Sequence, residues 1–145
     1  MMAELSSETI HASCVAIDGV AVLIEGRSGA GKSDLALRLM DRGAVLVSDD
    51  YTRLVRQGKT LIARAPDNLA GKIEVRGIGI VEMPHIDDVP VGLIVAIVEA
   101  PPRMPGAGRL RRLAGVELRE IALPSLEPSA PIKVEIALKQ RRADA

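Results

Sequence analysis

The sequence predicts an α/β protein, a mixed sheet around a P-loop with few helices, and three observations carry that prediction. First, Asp18-Gly19 separates two apolar, β-branched runs, 11–18 (HASCVAID) and 20–25 (VAVLIE). That is the pattern of an antiparallel hairpin closed by a two-residue turn. Second, the run 20–25 feeds a glycine-rich loop, GRSGAGKS from Gly26 to Ser33, which opens an amphipathic stretch at 33–42. Third, the short apolar run 44–48 (AVLVS) returns the chain to the sheet, and a strand–helix–strand connection of this length crosses right-handedly to a parallel strand.

The remaining elements follow in order. Residues 1–8 are polar and are expected to form a loose tail on one domain spanning 1–145. In the helix 33–42, Leu35, Leu39 and Met40 share a stripe with Ala36, and Gly43 supplies the stop. Runs 51–56 and 60–64 flank Gln57-Gly58-Lys59 as a second hairpin. A loop at 65–71 leads to 73–83, which alternates as an extended segment and carries Gly77 and Gly79. The continuous apolar run 91–98 reads as a strand buried on both faces. Three prolines and two glycines make 100–108 a surface loop, 116–123 is a last strand, and 131–142 a last helix with Pro131 in its first turn.

Composition narrows the function. Hydrophobic residues form 48% of the chain, yet it holds one Tyr and neither Phe nor Trp, so the core is aliphatic. Single-stranded nucleic acid is usually held by stacking on several aromatic rings, in which this chain is poor. Nineteen basic residues balance nineteen acidic ones, so no bulk field draws nucleic acid or an anionic membrane. The lone Cys14 cannot form an internal disulfide and sits in an apolar run as a core residue. No apolar run approaches the roughly 18 residues of a membrane span, and MMAELSSETIH lacks the charge and apolar block of a signal peptide. The expectation is a cytoplasmic protein without nucleic-acid or membrane partners.

The loop Gly26, Arg27, Ser28, Gly29, Ala30, Gly31, Lys32, Ser33 fits G-x-x-x-x-G-K-[ST]. Its glycines let successive N–H groups turn inward toward phosphate oxygens. Lys32 is placed to offset the β- and γ-phosphate charge and the Ser33 hydroxyl to ligate Mg²⁺, while the following helix adds its positive N-terminal end. A strand before the loop and a helix after it set this match apart from a chance one.

Around the loop, Asp49-Asp50 follows the run 44–48 and should emerge at the sheet edge that carries the P-loop. Adjacent carboxylates cannot point the same way, so one can address the metal shell and the other the nucleophile; a solvated turn is the rival reading. If Asp18 and Gly19 form the turn, paired positions sum to 37, and His11 falls opposite Gly26. A histidine at a strand start is as compatible with a structural part as with a functional one. Glu74 and Arg76 share a face if extended, Gly77 and Gly79 point to close backbone approach, and Glu74 serves equally as a Mg²⁺ ligand or as half of a surface ion pair. His85, Asp87 and Asp88 lack metal-site spacing and read as a solvated loop.

Taken together these residues resemble the catalytic domain of the bacterial HPr kinase/phosphorylase family. The similarity lies in His11, fifteen residues before Gly26, in the P-loop, in the Arg42-Gly43 pair leading to Asp49-Asp50, and in EVRGIGI from Glu74 to Ile80. It covers about residues 9–100 in register and resembles the short, single-domain form typical of alphaproteobacteria. The resemblance implies that Lys32 and the loop backbone hold the triphosphate of ATP, that Ser33 and Glu74 hold Mg²⁺, that Asp50 is general base on a serine of HPr, and that His11 supports the phosphoryl group. It further implies a loop arginine, for which Arg103 is the candidate, and a homo-oligomer, a hexamer in the family. The basic Gly-Arg-Asn-like stretch before the family's last helix is absent, replaced by Glu127 to Pro131. A small-molecule or nucleotide kinase would instead need an arginine lid, with Arg109, Arg111 and Arg112 as the candidates. A GTPase-like switch would need Asn-Lys-x-Asp, which the sequence lacks.

Overall fold

The computed structural model describes residues 7–104, 109–124 and 127–143. Eleven strands and two α-helices appear among them: β1 Ser7–Ile10, β2 Ala12–Ile17, β3 Val20–Glu25, α1 Lys32–Asp41, β4 Val45–Ser48, β5 Thr52–Gln57, β6 Thr60–Arg64, β7 Lys72–Val75, β8 Gly79–Glu82, β9 Val89–Ile97, β10 Arg109–Leu113, β11 Val116–Leu123 and α2 Ala130–Ala143. The mixed sheet with few helices is as the sequence predicts.

Strands β2 and β3 pair antiparallel from Ile17↔Val20 to Ala12↔Glu25, the register summing to 37. Asp18 (φ 50°) and Gly19 (φ 80°) close the turn with two left-handed residues, the geometry that matches the twist of the strands it joins. The chain runs from β3 through the loop and α1 into β4, which ends at the same sheet edge as β3. β4 thus runs in the same direction as β3, as the sequence predicts, but β2 stands between them and pairs antiparallel with both.

The main sheet runs β1-β5-β6-β9-β3-β2-β4, with β11 joined to β9 and β10 to β11. β9 lies parallel to β3 on one side. Its start pairs with β6 (Ala63↔Val89) and its later part with β11 (Glu120↔Ile94 to Leu123↔Ile97). The central strands are covered on both faces. Val22, Ile24, Leu93 and Val95 meet Leu35 and Leu39 of α1 and Val134 and Leu138 of α2. Cys14, Leu23 and Ile94 meet Leu54, Leu61, Leu113 and Leu118 of the strands that curl over the other face. That double burial is why 91–98 is apolar throughout.

Three expectations change. Ser7 and Glu8 belong to β1, which pairs with β5, and so are not a loose tail; residues 1–6 of that tail lie outside the described residues. The segment 73–83 is not one extended strand but a hairpin, β7–β8, forming a separate two-stranded sheet. Arg109–Leu113 is strand β10, turned into β11 through Ala114 (φ 47°) and Gly115 (φ 82°). Among the described residues no helix is long and apolar enough to cross a membrane.

Cys14 is wholly buried in the second cluster, and burial pushes its thiol pKa well up, so it stays protonated and shielded. It should not react with an aromatic disulfide reagent in the folded protein. Labelling should begin only as denaturant unfolds the chain, with a midpoint matching that of circular dichroism.

Candidate functional site

Four chain segments meet at one sheet edge: the end of β3, the end of β4, the bend before β2 and the hairpin β7–β8. Gly26 opens the loop where space is least, since a Cβ there would meet Ala30 Cβ at 3.1 Å and Ile97 Cβ at 3.2 Å. Gly31 precedes α1 in the left-handed region (φ 104°) and its carbonyl receives the N–H of Leu35 at 2.9 Å. Lys32, nearly buried, reaches back across the loop and donates to the carbonyls of Gly26 (2.9 Å) and Arg27 (3.1 Å).

Asp49 and Asp50 diverge. Asp49 is 6% exposed. Its Oδ1 accepts from the hydroxyls of Ser13 (2.8 Å) and Ser33 (2.6 Å), and its Oδ2 from the backbone N–H of Glu74 (3.0 Å). One carboxylate thereby joins β2, the first turn of α1 and β7 to the end of β4. Asp50 has φ 69°, a left-handed conformation that Asp tolerates better than most residues, and this turns its side chain away from its neighbour's. The Asp50 carboxylate is 58% exposed and bonds to His11 Nε2 through Oδ1 at 2.9 Å. His11 stands in the bend between β1 and β2, one step past the last hairpin pair, Ala12↔Glu25.

Glu74 ends up beside the loop because its own N–H is bonded to Asp49. Arg76 lies in the turn of the β7–β8 hairpin and so does not share an extended face with Glu74. Gly77 (φ 87°) and Gly79 (φ 121°) adopt left-handed turn geometry, and a Cβ at either would meet no described atom of the chain beyond its neighbours within 4 Å. A cavity of about 610 Å³ is lined by the loop from Ser28 to Ser33, by Asp34 and Leu37 of α1, and by Asp50, Glu74, Val75 and Arg76. That volume falls within the usual range of small-molecule sites.

Other sequence candidates lie elsewhere. Arg103 is exposed in the loop after β9 and does not line the cavity. The proposed arginine lid is a strand whose side chains face glutamates: Arg111 with Glu25 and Glu120, Arg109 with Glu120 at 3.7 Å, and Arg112 with Glu117 at 3.6 Å. Asp87 accepts from the N–H of Ala65, Asp88 pairs with Arg64, and no metal-holding group of His, Cys, Asp and Glu is found among the described residues. Two contributors were missed from sequence. Ser13 is a polar residue inside an apolar strand, a signal that was available. Tyr51 stacks on His11 with ring centroids 5.0 Å apart.

Fold and site define a P-loop protein of the α/β class, with the loop beside a divergent pair of aspartates. The chain belongs to the HPr serine kinase C-terminal domain family, whose model matches residues 3–87. It is 33% identical to the HPr kinase/phosphorylase of Lactiplantibacillus plantarum, over 95% of this chain and 48% of that protein. It is 45% identical to the HPr kinase/phosphorylase of Bacillus velezensis over 51% of this chain and 24% of that protein. The chain thus spans about half the length, or less, of the curated relatives it matches. The solved Hpr(Ser) kinase/phosphatase from Coxiella burnetii superposes with a TM-score of 0.82 at 30% identity, covering 94% of this chain and 97% of that one.

Replacing Asp49 with Ala leaves two hydroxyls and one N–H without their common acceptor. The expected loss is about 3 kcal/mol, or roughly 6–12 °C in Tm. Asp50→Asn, at an exposed position, should shift Tm by less than about 3 °C. Calorimetry of the two variants checks the contrast.

Proposed function

We propose that this chain transfers the γ-phosphoryl group of ATP, as its Mg²⁺ complex, to a serine of the phosphocarrier protein HPr. The observation that carries the reading is a cavity whose walls are the P-loop on one side and Asp50, Glu74 and Arg76 on the other. Its support from kinship is membership of the HPr serine kinase family and likeness to proteins named HPr kinase/phosphorylase.

The loop N–H groups and Lys32 bind the triphosphate and neutralise its charge. The donor set suits a hard cation: the Ser33 hydroxyl gives its hydrogen to Asp49 and keeps its lone pairs, and Glu74 offers an exposed carboxylate. Ser33 and Glu74 would hold Mg²⁺, which, when bound, offsets phosphate charge. Asp50 is the general base. His11 holds Oδ1 of its carboxylate, leaving Oδ2 to take the hydroxyl proton of the acceptor serine as its oxygen attacks phosphorus in line with the departing ADP. A homo-oligomer acting in the cytoplasm completes this reading, which rests there on family resemblance.

Labelled ATP, Mg²⁺ and purified HPr test it. Asp50→Asn should lower the transfer rate by about 10²–10⁴ while nucleotide affinity stays within about twofold. Lys32→Ala should lose nucleotide binding itself. Transfer to HPr at the unmodified rate in both variants overturns the reading.

The reverse reaction, attack of inorganic phosphate on seryl-phosphorylated HPr, brings a dianion beside a phosphoserine and needs added positive charge. Residues 120–131 contain neither Lys nor Arg, and Arg109 is paired with Glu120. Losing one charged hydrogen bond costs about 1.5–3 kcal/mol, so phosphorolysis should run at least about tenfold slower than phosphorylation. Pyrophosphate release measured against the forward rate decides this, and equal rates contradict it.

A further inference from the structure

The chain contains a single tyrosine and no other large aromatic residue, and that one ring stands at the rim of the site rather than in the core. Tyr51 is 45% exposed, follows Asp50 directly and belongs to neither apolar cluster. It is nevertheless held rigidly. Its N–H bonds to the Asp49 carbonyl at 2.7 Å, and its own carbonyl receives the Ser48 hydroxyl. The next residue, Thr52, donates its hydroxyl to the Ala12 carbonyl at 2.8 Å. The ring lies on His11 at an interplanar angle of 29°, and His11 is bonded to Asp50. The backbone on both sides of each stacked ring is therefore tied down, because Ile10 pairs with Thr52 across β1 and β5.

A half-exposed ring fixed in one orientation gains little for folding stability. It is the kind of group that serves as a recognition anchor, offering a large contact area with little entropy left to lose. The cavity that holds the P-loop is bounded by Asp50, and Tyr51 lies just beyond that boundary. A protein bringing a serine to Asp50 comes close to the ring, which stacks on the His11 that holds that carboxylate.

We propose that Tyr51 is a specificity-determining residue for the protein acceptor, its free face packing against an apolar side chain that adjoins the accepting serine. This rests on the preceding reading that the chain phosphorylates a serine of HPr. Tyr51 does not line the P-loop cavity, so its contribution falls on acceptor binding.

Steady-state transfer to purified HPr gives the first test. Tyr51→Ala should raise KM for HPr about tenfold or more, with kcat and nucleotide Kd within about twofold of the unmodified chain, and Tyr51→Phe should restore KM to within about twofold. An unchanged KM in Tyr51→Ala overturns the proposal. So does a fall in kcat alone, which would make the ring a support for His11. The second test needs no substitution: the chain labelled with 3-fluorotyrosine carries one fluorine signal, from Tyr51. Saturating unlabelled HPr, with a non-hydrolysable ATP analogue present, should shift or broaden it, and an unmoved signal overturns the proposal. If the unmodified chain transfers no phosphate to HPr, the preceding reading falls and takes this one with it. Transfer together with an unmoved fluorine signal removes this proposal alone.

Discussion

A carboxylate can be taken out of water only if its lone pairs are satisfied, and Asp49 meets that condition by gathering three donors from three distant segments. Ser13 comes from the strand that borders β4, Ser33 from the first turn of α1, and the Glu74 N–H from a hairpin outside the main sheet. None of these segments is adjacent to another in sequence. The hairpin also packs on the body of the molecule, with Ile73 buried in the first core cluster and Val75 and Val81 against it. That packing and the bond from the Glu74 N–H to the buried charge together set Glu74 and Arg76 against the P-loop. Ser13 extends the clip by accepting the N–H of Asp50 at 3.2 Å while donating to Asp49, so the exposed aspartate is oriented by the buried one.

The balanced charge of the chain resolves into similar local bonds. Arg42 forms a bidentate pair with Glu135 (2.8 and 3.0 Å), and Arg38 donates to the Glu127 carbonyl at 3.1 Å, so α1 is tied to α2 and its approach. Arg119 caps the other side of α2 through the Ala137 carbonyl and Gln140. Arg111 binds Glu25, the residue immediately before Gly26, and so steadies the strand that carries the loop. Arginine suits these positions because its planar fork can satisfy two acceptors at once.

Local signals made much of this legible. The Asp-Gly turn fixed the β2–β3 register, and that arithmetic put His11 at the edge where the P-loop begins. Gly43 ended α1, and the unbroken apolar run of β9 announced two covered faces. What stayed hidden was set by non-local pairing. β1 is polar because it is an edge strand, so its sequence, SETI, carries no apolar alternation. β10, RLRRL, looks like a charged lid until Glu25, Glu117 and Glu120 are seen opposite it. The Ala114-Gly115 turn was the available clue. The two glycines of the 74–80 segment fit either a bulged strand or a turn, and only the pairing of Val75 with Gly79 distinguishes them. Adjacent aspartates also look equivalent in sequence; burial and one left-handed φ made them different.

The forked pairing of β9 bears on how the molecule comes apart. One strand is at once the neighbour of the P-loop strand β3, of the β5–β6 sheet through β6 and of the β10–β11 hairpin through β11. Detaching either outer leaf uncovers Val89, Val91 and Ile94 on one face of β9, while Leu93, Val95 and Ile97 of the same strand pack beneath α1 and α2, so partial opening loosens a strand that both layers share. Stability is then shared among the leaves as a single cooperative unit, and the amides of β9 exchange with solvent only when the entire sheet is lost.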